Sequence, residues 1–272
     1  MSDDEQALPY AQRKTGDVPG HWLLARLGKR VLRPGGLGLT RQLLDHAAIE
    51  GSQVVELAPG LGRTATEILS RGPLSYIGVE KDEDAARLSA RAVGSAGTVV
   101  QADAAQTGLP DASADIVIGE AMLTMQSDTV KRAIGAEVVR VLRPGGRYAI
   151  HELGLHPDDL GSEIKTELRK DLARVIKVNA RPQTIAEWRA LLEEAGLVVD
   201  WTETAPMALL RMRRNVADEG LRGTARIIRN VLRDKDARDR VLRMRALFRQ
   251  HGHTLRGVAL IAHRPSAGGA GR

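Results

Sequence analysis

The chain has 272 residues, 43% apolar and 27% charged, with no cysteine. That length suits one large domain with insertions, and the missing thiols exclude disulfides, thiolate metal sites, iron–sulfur clusters and cysteine nucleophiles. The net charge of +6 is uneven: residues 211–250 carry thirteen Arg/Lys against five Asp/Glu, leaving the rest of the chain at minus two. One late segment is therefore either a contact for an anionic partner or a solvated, arginine-rich helix face.

Residues 1–19 are polar, lack an apolar core of signal-peptide type, and are expected to form a flexible tail. With no later run of bilayer-spanning length, the cytoplasm is the simplest location. "HWLLARLGKRVL" and "LTRQLLDHAAI" predict two lid helices within 20–50, joined by the turn "RPGG". From Gln53 onward, β-branched runs alternate with helical patterns, as in a doubly wound α/β sheet. The strands are "VVELA", "LSYIGVE", "GTVVQAD", "ADIVIGE" and "GRYAIHE". Asp82 is placed to cap the helix after the second strand, and a second "RPGG" stops the helix before the fifth. Helical insertions follow at about 155–180 and 211–252, with a capping box from Thr184 to Glu187 between them. "VVDWTET" and "GVALIAHR" supply two final strands. A single domain is expected over 20–266, with 267–272 as a second flexible tail.

In "VVELAPGLGRTA", Gly60 and Gly62 permit a sharp turn and the close approach of a ligand, and Ala65 takes the third small position. The spacing G-x-G-x-x-A fits a dinucleotide site, another nucleoside site or a purely structural turn. Three acids narrow the choice. Glu80 ends the second strand, where a carboxylate accepts hydrogen bonds from both ribose hydroxyls. Asp103 ends the third strand, placed for an exocyclic amine such as adenine N6. Glu56, before the glycines, is a poor neighbour for pyrophosphate and a good one for an ammonium group or a positive sulfur. The charge pattern favours S-adenosylmethionine over NAD.

In order, "VVELAPGLGRTA", "YIGVEKD", "VQADAAQTGLP", "ADIVIGEAMLTM" and "VLRPGGRYAIHEL" resemble the successive motifs of class I S-adenosylmethionine-dependent methyltransferases. The resemblance is close over residues 37–153 and nearest to small-molecule enzymes of the ubiquinone/menaquinone type. It implies a Rossmann-like sheet, mostly parallel with the last strand antiparallel, carrying helical lid insertions. It also implies S-adenosylmethionine as cofactor. Glu56, Ala58, Gly60 and Gly62 would wrap its methionine portion, Glu80 would hold the ribose, Asp103 and Ala104 the adenine, Glu120 would lie near the amine or the transferring methyl, and Lys81 is a further expected cofactor contact. Where many relatives carry a histidine pair after the fourth strand, this chain has Thr124 and Met125, and no N-P-P-[YF] motif is present. No catalytic assignment is therefore carried over from the family.

Methyl transfer needs alignment and a dry site, and a base only where the acceptor must lose a proton. Candidates are Glu120, ending the fourth strand, and His151 and Glu152 at the carboxyl end of the fifth, where strand alternation lets one of the pair face the cleft. Met122, Leu123, Met125, Met207 and Met212 are expected at the cleft mouth, with Met122, Met125 and Met207 as substrate contacts. "HGH" at 251–253 lacks further clustered ligands, and no metal is expected. The leading expectation is a methyltransferase acting on a small molecule that is apolar with an anionic or carrier-linked portion. The alternatives are an RNA methyltransferase using the basic helices, or a non-catalytic regulator that binds the cofactor.

Overall fold

Five parallel strands lie between Gln53 and Leu155: β1 (Gln53–Leu57), β2 (Ser75–Glu80), β3 (Thr98–Gln101), β4 (Ala114–Glu120) and β5 (Leu142–Leu155). The two-residue β6 (Gln183–Thr184) adds to the end of β5, and β7 (Val198–Pro206) and β8 (Leu255–His263) complete an eight-stranded sheet of order β3-β2-β1-β4-β5-β8-β7. β8 runs antiparallel to both its neighbours, as expected. The computed structural model describes residues 8–10, 12–207, 209–210 and 212–266, without the side chains of 212–214.

The sheet is buried on both faces, which is why β1 and β4 are largely apolar and the second half of β5 is buried at every position. One face packs Val55, Val117, Tyr148 and Leu260 against α5 (Asp128–Val141) and α7 (Ile185–Glu194), with Trp188 fully buried and its indole N–H donating to the Leu153 carbonyl at 3.2 Å. The other face packs Val54, Ile116, Ala149 and Ile261 against α2 (Gly36–Ala47) and α3 (Arg63–Leu69). α4 (Glu83–Val93) starts where Asp82 accepts from the Ala85 N–H at 3.0 Å, and α7 carries the expected capping box, with both Thr184 and Glu187 bonds present.

Around the carboxyl end of the sheet sit α1 (Gly20–Arg26), α6 (Ser162–Ile176), α8 (Met212–Arg233) and α9 (Lys235–Gln250). Two expectations change here. The tail expected over 1–19 is anchored at several points: Leu8 and Val18 are buried, and the Arg240 guanidinium on α9 donates to the carbonyls of Thr15 and Val18 at 2.5 and 2.8 Å. Residues 1–7 and 267–272 lie outside the described set. Of the two expected lid helices, only α1 caps the cleft. α2 buries Leu39, Leu43 and Leu44 in the core beside the sheet, because its apolar face is wide enough to cover β5 and β8.

The loop between α1 and α2 is pinned at both ends. Glu219 on α8 accepts from the N–H groups of Arg30 and Val31, both at 2.8 Å, and Asp218 from the Leu37 N–H at 3.2 Å. At Gly35 the loop lies directly on Gly257 of β8, where a Cβ on Gly257 would collide with the Gly35 backbone.

Candidate active site

β1 and β4 are adjacent although two strands separate them in sequence, so strand order reverses between them, and a crevice opens beyond their carboxyl ends. A cavity of about 540 Å³ occupies this crevice, within the range of small-molecule sites. One part is lined by Glu56, Glu80, Asp103 and Glu120 from the ends of β1, β2, β3 and β4. The lining also carries many apolar side chains, among them Trp22, Met122, Leu172, Met207, Met244 and Phe248, with Arg30 exposed beside polar residues such as His21 and Gln126.

The loop after β1 turns by placing Ala58 and Gly60 at φ of 53° and 58°. A Cβ on Gly60 would meet only the Ala58 carbonyl, at 3.9 Å. The Gly60 N–H donates to Glu80 at 3.1 Å, and the Asp82 N–H donates to its other oxygen at 3.1 Å. Burial pushes the Glu80 carboxyl up, and these backbone donors oppose it. Asp103 is more open. Lys81 bonds it at 2.8 Å, and that contact, with the Ala105 N–H, holds its carboxyl below the usual range.

Glu56 is fully enclosed and accepts from the Tyr76 hydroxyl at 2.7 Å. Burial raises its pKa from 4.5 to about 8, although the Tyr76 bond opposes the shift. A carboxyl whose folded pKa is raised stabilises the fold fully below its unfolded pKa and loses that contribution as pH rises through the folded value. The free protein should therefore lose stability between about pH 4.5 and 8 on account of Glu56. Glu56→Gln is expected to flatten that decline and to melt above the parent at pH 9, a difference on the order of several kcal/mol. Superimposable parent and variant profiles over pH 5–9 would assign the decline elsewhere.

Glu120 is the hub. Its Oε1 accepts from Thr40 at 2.6 Å and faces His151 Nδ1 at 2.8 Å; its Oε2 accepts from Thr64 at 2.5 Å and pairs with Arg33 Nε at 2.7 Å. Arg33 also bonds Thr64 through Nη2, while its Nη1 is buried with no partner. Burial alone would raise the Glu120 carboxyl, but the Arg33 guanidinium, His151 and Thr40 together hold it at about 2.

The structure corrects two expected catalytic residues. His151 is fully buried and does not line the cavity. Its Nε2 accepts from the Gly35 N–H at 3.0 Å, so Nδ1 carries the proton and donates to Glu120. With its one lone pair occupied behind the wall, His151 cannot act as a base on a bound acceptor; it orients Glu120. Glu152, on the opposite face of β5, is also fully buried and outside the lining. It accepts from the N–H groups of Met122, Leu123 and Thr124 at 2.9, 2.7 and 3.1 Å and from the Thr124 hydroxyl at 2.7 Å, and so anchors the turn that carries the methionines. Gly62 is absent from the lining as well. Its φ is 70°, and a Cβ there would strike Ala92 of α4, so the glycine is required for helix packing.

The remaining expected residues meet in one place: Glu56, Ala58, Gly60, Glu80, Lys81, Asp103, Ala104, Glu120, Met122, Met125 and Met207 all line the cavity. Leu123 turns into the core instead, and the side chain of Met212 lies outside the described set. Sequence reasoning missed Arg33, Thr40, Thr64 and His21. The last is a cavity-lining histidine on α1 whose pKa burial lowers to about 4. Among the described residues no His/Asp/Glu cluster could hold a metal, and no helix is long and apolar enough to cross a membrane.

Carboxylates beside an unpartnered guanidinium nitrogen offer one pole for an ammonium group and one for a carboxylate, a donor set that fits the zwitterionic amino-acid end of S-adenosylmethionine. Glu80 and Asp103 stand where a ribose and an adenine amine need acceptors.

Residues 55–150 match the family described as "Methyltransferase domain". An uncharacterized protein of Haemophilus influenzae is 33% identical over 254 residues, covering 91% of this chain and 99% of that protein. Among solved structures, the fold is similar to a Haemonchus contortus phosphoethanolamine N-methyltransferase 2 bound to phosphomonomethylethanolamine and S-adenosylhomocysteine (TM-score 0.69, 15% identity, 98% of this chain and 61% of that one). It is also similar to a geranyl diphosphate methyltransferase bound to its diphosphate and sinefungin (TM-score 0.60, 14% identity, 84% of this chain and 77% of that one). At such identities these two likenesses speak for the fold.

Proposed function

Given that the chain belongs to the class I S-adenosylmethionine-dependent methyltransferases, we propose that its acceptor is a small molecule with an apolar body and an anionic or carrier-linked portion. The enzyme is a methyltransferase and S-adenosylmethionine is its cofactor. When bound, that cofactor supplies an electrophilic methyl group on a sulfonium, so the residues of this chain have to bind, orient and exclude water.

The geometry supports the following roles. Glu80 is the ribose acceptor, held by two backbone donors. Asp103 and Ala104 take the adenine side. Glu56 and Glu120 face the ammonium and sulfonium charges, and Arg33 Nη1 receives the methionyl carboxylate. Met122, Met125 and Met207 shape the acceptor chamber. The observation that carries the acceptor class is that one cavity is lined both by the strand-end acids and by many apolar side chains, with Arg30 among them. A phosphate backbone would find an apolar wall there.

Calorimetry should show adenosylhomocysteine binding and no NAD binding. Glu80→Ala removes charge-assisted bonds and should weaken that binding roughly ten- to a hundred-fold; unchanged affinity would reduce Glu80 to a structural acid. With methyl-labelled cofactor and fractionated cell extract, label is expected in a solvent-extractable anionic fraction. Label confined to RNA would reject this acceptor class.

His21 is the histidine that faces the acceptor chamber. If the acceptor must lose a proton, His21→Asn alters the pH dependence of single-turnover methylation, while His151→Asn lowers stability and leaves that dependence in place. A pH profile changed only by His151→Asn would restore the role first expected of it.

A further inference from the structure

The inner side of α8 is committed: Thr224 and Ile227 are buried, Arg226 Nη2 donates to the Gly28 carbonyl at 3.1 Å, and Asn230 to the Leu27 carbonyl at 3.2 Å. Its outer side is not. Leu221, Ala225, Ile228 and Leu232 recur at helical spacing and form one outward stripe. Leu221 is 76% exposed, Ile228 40% and Leu232 64%. Arg222, Arg229 and Arg233, all exposed, run alongside it. On α9, Leu242 is 53% exposed, with exposed Arg245 and Arg249 on the same side of that helix. Aliphatic residues repeated at helical spacing on a solvent face are not explained by the core, which the opposite side already serves. Nor do these arginines reach the cavity: none of Arg222, Arg229, Arg233, Arg245 and Arg249 lines it.

We propose that the outer face of α8 docks on an anionic lipid bilayer, the aliphatic stripe entering the headgroup boundary and the adjoining arginines pairing with lipid phosphates. The two halves of the face answer the two requirements of an interfacial helix, apolar area and attraction to negative headgroups, neither of which suffices alone. The chemistry disfavours other occupants. A nucleic acid would engage the arginines and leave the aliphatic stripe in water, and the whole chain has only three Trp, three Tyr and one Phe for base stacking. A second copy meeting face to face would set arginine rows of like charge against each other. A bilayer satisfies both stripes at once. The α1–α2 loop is held by Asp218 and Glu219, just before a break at Gly220 (φ 72°, ψ 173°) that sets the stripe-bearing part of α8 apart from them. The docking face is separate from the cavity, and its test needs neither cofactor nor acceptor.

The full-length protein is sedimented with vesicles of phosphatidylcholine alone or mixed with phosphatidylglycerol. Expected is binding to the mixed vesicles at low salt, at least ten-fold weaker to phosphatidylcholine alone, and lost at high ionic strength. The triple variant Leu221→Glu, Ile228→Glu, Leu232→Glu should lose vesicle binding while its adenosylhomocysteine affinity, measured by calorimetry, stays within about two-fold of the parent, which also reads out folding. No sedimentation of the parent with anionic vesicles overturns the proposal. So does salt-sensitive RNA binding without vesicle binding, or a concentration-dependent dimer that the triple variant abolishes. Failure here leaves the methyltransferase reading standing, and loss of adenosylhomocysteine binding in the parent would strike only that reading.

Discussion

Arg33→Met is expected to destabilise the free enzyme by about 3–5 kcal/mol, the usual cost of removing one partner of a buried ion pair. Glu120 would keep Thr40, Thr64 and His151 as hydrogen-bond partners but lose the guanidinium 2.7 Å from Oε2. Its carboxyl, now held at about 2, would rise. In the parent this depressed pKa contributes stability that is complete above the unfolded value of 4.5 and is lost as pH falls towards 2; the variant should lose much of that acid dependence. The double variant Arg33→Met, Glu120→Leu should recover most of the loss, because neither charge is then left stranded. Urea denaturation at pH 7 and pH 4 measures all three effects. A single-variant loss below about 1 kcal/mol would mean that water reaches the pair.

Glu152→Ala should be comparably costly, roughly 3–5 kcal/mol, since it strips the acceptor from three buried N–H groups and a hydroxyl at once. Burial pushes the Glu152 carboxyl up, and these same donors, the Thr124 hydroxyl foremost, keep it down. The effect should reach the chamber: with Met122 released, the Michaelis constant for the acceptor rises more than adenosylhomocysteine affinity falls. Glu152→Gln retains part of the acceptor set and should lie between parent and alanine variant in stability. An alanine variant with parental stability and parental constants would remove Glu152 from the framework of the site.

The strand order and the acids at the strand ends were legible because both are local. A β-branched run, a terminal carboxylate and a glycine turn occupy consecutive positions, and parallel strands then bring Glu56, Glu80, Asp103 and Glu120 to one edge. Arg33 was not legible. The string Leu-Arg-Pro-Gly-Gly occurs twice. In the second copy Arg143 is 41% exposed and pairs with Asp115 at 2.7 Å on the rim of the sheet; in the first, Arg33 is buried against Glu120. The same five residues meet opposite fates because the first copy is folded over the site by distant segments, Asp218 and Glu219 among them. His151 and Glu152 misled for a related reason. Alternation was right to send them to opposite faces of β5, but that strand is covered on both faces, by Gly35 on one and the Met122–Thr124 turn on the other.

The seating of Gly35 on Gly257 sets an order of assembly for the newly made chain. The loop that brings Arg33 to Glu120 emerges early in synthesis, but the strand that supports it is specified roughly 200 residues later. At ordinary elongation rates that is a delay on the order of 10 s or more. During this interval β1 to β5 can pair while Glu120 has no finished roof and the apolar faces of the first two helices have no final berth. A nascent chain stopped short of β8 is therefore a species with a nearly complete sheet and an open site, one for molecular chaperones to shelter rather than an early working enzyme.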